Sequence, residues 1–174
     1  MLINESVRLQ NAIDDIIDRI KLVDQALDAE IFAFVQRSRA ERTARRKQIA
    51  EAHATKQRYS NKVLLYRVNK GSLELSWSSI YYIKGSSSIR YKRLAASRGA
   101  VHLARLRSGA HEDEVELITE HEALARAYRK LYTQHAKSKR AVNQLQKAYN
   151  TLTGRSLKSA VQGKAVFGEN DSED

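Results

Sequence analysis

From Leu117 to Leu152 one series of positions alternates spacings of four and three residues without a fault: Leu117, His121, Leu124, Tyr128, Leu131, His135, Ser138, Val142, Leu145, Tyr149 and Leu152. A heptad seam of this length commits its residues to one helix that lies against another. A second helical series supplies the partner: Ile13, Ile16, Ile20, Val23, Leu27, Ile31 and Phe34. No Pro occurs anywhere in the 174 residues, so the strongest helix breaker never interrupts either run. The pattern predicts two long helices, over residues 5–57 and 110–153. Gly109 precedes the second, and Gly154 is a candidate cap at its end.

Between them the periodicity changes to two. "KVLLYRV" (62–68) is apolar and β-prone, "NKG" (69–71) is a turn, and "SLELSWSSIYYIK" (72–84) alternates. Its Leu73, Leu75, Trp77, Tyr81 and Ile83 share one face. After "GSSS" comes "IRYKRL" (89–94), with Ile89 and Tyr91 expected inward and Arg90 and Lys92 outward. The expectation is a mainly helical α+β fold in which two antiparallel helices flank a three-stranded antiparallel meander over 60–95. Residues 96–109 form a connector. Residues 1–153 then make a single domain, and 154–174, ending in "ENDSED", a disordered, locally acidic tail.

Charge is distributed unevenly. Residues 1–35 hold three basic and seven acidic side chains, residues 36–107 eighteen and three, and residues 108–174 ten of each. The whole formal excess of +11 therefore sits in the middle of the chain. Such a concentration is the footprint of a surface for nucleic acid or another polyanion. Both helices are acidic early and basic late, so an antiparallel pairing sets acid against base at both ends.

The stretch "RSRAERTARRKQ" (37–48) holds six of these cations. At ~100° per residue, Arg42 and Arg45 fall near the line of Ile20, Leu27 and Ile31. They are expected to face the second helix, near Glu116 and Glu120. Arg37, Arg39, Arg46 and Lys47 are expected outward, either as a solvated face or as anion contacts. In the meander and connector, Lys84, Arg90, Lys92, Arg93, Arg98, Arg105 and Arg107 have no acidic residue among them. These eleven outward cations are the candidate DNA-binding residues. Trp77, Tyr81 and Tyr91 are expected in the core, whereas Tyr66 and Tyr82 have the opposite parity and could stack on bases or touch phosphates.

Signs of catalysis are weak. "HLAR" (102–105) fits the H-x-x-R fragment of tyrosine recombinases, but the further Arg and Lys of that catalytic domain have no counterpart here. "HEDEVELITEHE" (111–122) is rich in possible metal ligands, and Glu114 and His121 share a face. Acidic first turns favoured by the helix dipole account for the same residues. No P-loop, G-x-G-x-x-G or H-E-x-x-H occurs, and there is no Cys. No catalytic residue, metal or cofactor is expected. Neither an apolar run of membrane-spanning length nor a signal pattern is present, so a soluble cytoplasmic protein is expected.

The order of a basic helix, "LELSWSSIYYIKGSSSIRYKRL" and a Glu-rich long helix, "EVELITEHEALARAYRKL", resembles the MobI family of conjugative-transfer proteins. The likeness covers about residues 60–150 and rests on a Trp-centred strand (Leu75 to Trp77), a basic strand after it and the long helix. It implies an accessory factor, not an enzyme, that acts on double-stranded DNA at the origin of transfer and helps the relaxase begin DNA processing. Relaxase or other transfer proteins, and a second copy of the chain, are the implied or possible partners. A coiled-coil interaction or scaffold protein and a transcriptional regulator are the alternative readings.

Overall fold

The computed structural model describes residues 2–53, 58–69, 72–84, 88–95 and 101–166. The elements run α1 (Leu2–Ala52), β1 (Lys62–Asn69), β2 (Ser72–Tyr82), β3 (Ile89–Arg93), α2 (Leu103–Arg107) and α3 (Glu112–Val166). The protein is a mainly helical α+β fold with two long packed helices and a three-stranded antiparallel meander in the order β1-β2-β3. α1 ends at Ala52, and the expected helical residues 54–57 lie outside the described residues. α3 does not stop at Gly154 but continues through it to Val166. Gly costs a helix only ~1 kcal/mol relative to Ala, too little to end one by itself. The remainder of the expected tail, 167–174, and the candidate Arg98 lie outside the described residues.

The chain divides into two units, residues 24–134 and the paired segments 1–23 and 135–174. In the first unit, contacts between α1 and α3 are antiparallel: Arg46 meets Glu114, Ser38 meets His121, and Glu30 meets Tyr128. Its core joins Leu27, Ile31, Phe34 and Val35 of α1 to Leu64, Leu75 and Trp77 of the sheet and Ile118 and Ala125 of α3. Leu94, Val101 and Leu106 close it. Gly109 ends the turn after α2 with φ +74°, a left-handed conformation that favours Gly. In the second unit, the hydroxyls of Ser6 and Tyr149 lie 2.7 Å apart.

Two carboxylates of α3 fix the sheet. Glu114, wholly buried, accepts from Arg46 Nε at 2.7 Å and from the Ser60 amide at 2.9 Å, with Arg42 3.6 Å away. Arg42 and Arg46 also donate to the carbonyls of Lys62 and Ser60. Glu122 accepts from Trp77 Nε1 at 2.8 Å, from the Val101 amide at 3.0 Å and from Arg129 at 2.6 Å. Each carboxylate is thus satisfied by a cation and by neutral donors, as a buried charge requires.

Candidate nucleic-acid interface

The strand register decides which cations share a surface. β1 and β2 pair Lys62 with Ser79, Leu64 with Trp77 and Tyr66 with Leu75. β2 and β3 pair Ser79 with Lys92, Tyr81 with Arg90, and Ile80 with Tyr91. Opposed residues of an antiparallel pair point to the same face. One face therefore carries the buried Leu64, Leu75 and Trp77 and, continuing along the strands, Lys62, Ser79, Tyr81, Arg90 and Lys92. Arg90 and Lys92 are exposed, as is Tyr81.

Lys62 is half-buried at the border of this patch. Burial lowers the pKa of its ammonium, and the positive charge of Arg105 lowers it further. Two cations from distant parts of the chain are thus held near one another. Among the described residues, no ion pair joins Lys62, Lys84, Arg90, Lys92 or Arg105 to a carboxylate. Like charges held together without a counterion repel, and an anion placed between them relieves that repulsion.

This register overturns the expected facing of β3. Ile89 and Tyr91 lie opposite Tyr82 and Ile80 on the outer face, about half exposed. Arg90 and Lys92 lie on the face of Trp77. A one-residue difference in pairing exchanges the faces of a whole strand, and the Ser-rich turn gives no sequence signal that sets it. Tyr66 likewise belongs to the face of Leu75, packs on the core and meets Phe32 edge-on. Lys62, missed in the sequence, is recoverable from it: two residues before Leu64, it has the parity of the core face.

The other candidate cations divide. Arg46 is not outward: it is bonded to Glu114 and lies over the Tyr59 ring. Arg42 is inward as expected, but its partner is Glu114 and not Glu116 or Glu120. Its guanidinium sits 5.7 Å from the centre of the Trp77 ring. Burial, then the charge of Arg46, pushes its pKa down to about 10. Arg45, expected inward, is exposed. The buried stripe of α1 passes through Leu27, Ile31, Val35, Ser38, Arg42 and Ile49, the track of a straight 3.6-residue helix, and Arg45 lies ~60° off Arg42.

Arg37 pairs with Glu30 at 2.9 Å and Lys47 with Glu51 at 3.8 Å, all four exposed. Such pairs contribute only ~0–1 kcal/mol and do not withhold these cations from a ligand. Arg39 is exposed and reaches the Leu64 carbonyl at 3.5 Å. Arg93 lies on the outer sheet face and is paired with Glu74. Arg107 donates to the Thr119 hydroxyl at 3.1 Å.

One arrangement has the order of a hydrolytic triad. The Ser38 hydroxyl is 2.9 Å from His121 Nδ1, and His121 Nε2 is 2.7 Å from Glu41. Ser38 is only 1% exposed, between α1 and α3. A nucleophile needs access to its substrate, so this trio serves the helix pairing. Glu114 and His121, which share a helix face, are committed to Arg46 and to Ser38 and Glu41, and do not form a metal site. Among the described residues, no helix is long and apolar enough to cross a membrane. Comparison of the chain with known families, curated proteins and solved structures finds no match.

Proposed function

We propose that this protein binds double-stranded DNA through the basic half of its sheet: Lys62, Arg90 and Lys92, with Arg105 near Lys62. The observation that carries this reading is the row Lys62–Ser79–Lys92 running across all three strands without a carboxylate partner. Phosphates are contacted by Lys, Arg, Ser and Tyr side chains, and Ser79 and Tyr81 add hydroxyls among the cations. The exposed Arg37, Arg39, Arg45 and Lys47 of α1 extend the basic character of the chain. The reading is of a binding protein, not an enzyme.

The likeness to MobI proteins supports a more definite role, that of an accessory factor at the origin of transfer of a conjugative element, with the relaxase as protein partner. Mobility-shift titration of an origin-of-transfer duplex against an unrelated duplex of equal length tests it. Preference for the former at moderate salt fits the role. Equal affinity leaves DNA binding standing and removes the origin-specific role.

Apolar exposure favours a self-associating protein as well. In the terminal unit, Leu9, Ile16 and Val23 of α1 and Leu145 and Leu152 of α3 are between 40% and 66% exposed. Each set recurs every seven residues, as in a coiled-coil seam. In the other unit, Leu124 and Leu131 are each 50% exposed. A second copy of the chain would cover such rows in a helical bundle, with the acidic start of α1 beside the basic end of α3.

A further inference from the structure

We propose that His53, His111 and Asp113 form a binding site for a zinc-type divalent cation that ties the end of α1 to the start of α3. The proposal does not depend on DNA binding. One ring nitrogen of each His and a carboxylate oxygen of Asp113 lie within 4.8 Å of one another. The rings of His53 and His111 are 5.4 Å apart, centre to centre, and tilted by 54°. These residues come from two elements far apart in sequence, so helical spacing does not explain their convergence.

His111 and Asp113 have the spacing of two ligands on one ion. His111 Nδ1 is 3.3 Å from Asp113 Oδ2. With metal–donor distances of ~2.1 Å, the edge of a tetrahedron around zinc is ~3.4 Å. The Asp113 amide also approaches Nδ1 as a donor, at 3.3 Å. An imidazole nitrogen has a single in-plane lone pair, so an ion bound at Nδ1 would displace this long amide contact.

Imidazole and carboxylate are the ligand types that suit zinc, cobalt and nickel. Three protein ligands leave a fourth position for water. The surroundings are permissive. His53 follows the C-terminal end of α1, whose free carbonyls favour a cation. The opposing positive end of the α3 dipole carries Glu112 and Asp113. His111 is 15% exposed and Asp113 50%, and His53 is exposed, so an ion can enter from solvent.

Bound there, the ion would close the chain between residues 53 and 111, the segment that contains the whole sheet. A clip across a long loop removes freedom from the unfolded chain. It would also brace the neighbouring Glu114 junction, from which the chain enters β1.

The test uses the full chain. Co2+ is titrated while its visible ligand-field absorption is followed, and melting temperature is measured over a range of Zn2+ concentrations. The expected result is saturation at one equivalent and a melting temperature that rises with Zn2+, as mass action requires for a ligand of the folded state. His53→Ala and Asp113→Asn should each abolish the saturable absorption and the rise. His102→Ala, an exposed His outside the cluster, should keep both. His53 is exposed, so its loss leaves the fold intact without metal, which the melting temperature in chelator checks. Absence of saturable binding, or equal binding and stabilisation in His53→Ala and the unsubstituted chain, overturns the site.

Discussion

Arg46 Nε donates to Oε1 of Glu114 across 2.7 Å, and that carboxylate has no exposed surface. With Arg42 alongside and the Ser60 amide on its other oxygen, Glu114 gathers α1, α3 and the approach to β1 at one point. Glu114→Ala would leave two guanidinium groups, one of them buried, without their counterion. The expected cost is ~3–5 kcal/mol, as for breaking a buried pair from one side. Arg45→Gln, at an exposed position in the same turn, should change stability by less than ~0.5 kcal/mol. Urea unfolding of both variants measures the contrast. Similar small losses would mean that the junction does not anchor the sheet.

A second expectation concerns acid. A hydrogen bond from Arg37, then one from Tyr128, holds the Glu30 carboxyl below its ordinary pKa of 4.5. A carboxyl lowered in the folded state stabilises it above the unfolded pKa and loses that contribution as pH falls through the folded value. Stability should therefore drop on acidification below about 4.5, and Glu30→Gln should flatten that limb slightly. The effect is small because Glu30 and Arg37 are exposed. Melting temperature against pH for the two proteins reads it, and parallel curves would exclude the contribution.

The half-exposed leucines make a third. If a second copy covers them, Leu145→Lys with Leu152→Lys should shift sedimentation from dimer to monomer at micromolar concentration. Both side chains are about half exposed or more, so helix content should hold. A chain that sediments as a monomer before substitution removes the self-association reading.

Much of the fold was legible because it rests on periodicity. The heptad series of α3, the Ile and Leu series of α1 and the two-residue alternation of β2 each name their element. The absence of Pro explains why the helices run so far. What was not legible depends on register. The facing of β3 is set by its register against β2, with Ser79 opposite Lys92 and Tyr81 opposite Arg90, so Arg90 and Lys92 exchanged faces with Ile89 and Tyr91. The inward cation of α1 was misplaced by a single step, Arg46 for Arg45, because the angle was taken from Ile20, Leu27 and Ile31, whereas the buried Val35 nearer by lies ~20° from Arg46 and ~80° from Arg45. The polar anchors Glu114 and Glu122 read in sequence as an ordinary acidic helix start. Only the donors that three-dimensional packing brings to them, Arg42, Arg46 and Trp77, mark them as structural.

Duplex binding as a function of salt tests the basic sheet face most directly. With Lys62, Arg90, Lys92 and Arg105 each neutralising one phosphate, log K should fall with log salt at a slope of about −3.5. Replacing Lys62, Arg90 and Lys92 together by Gln should weaken binding to every duplex and flatten the slope to about −1. Arg93→Gln, on the opposite face and already paired with Glu74, should leave both nearly unchanged. Affinity and slope unaltered in the triple variant, or lowered more by Arg93→Gln than by the triple substitution, would contradict binding through this face.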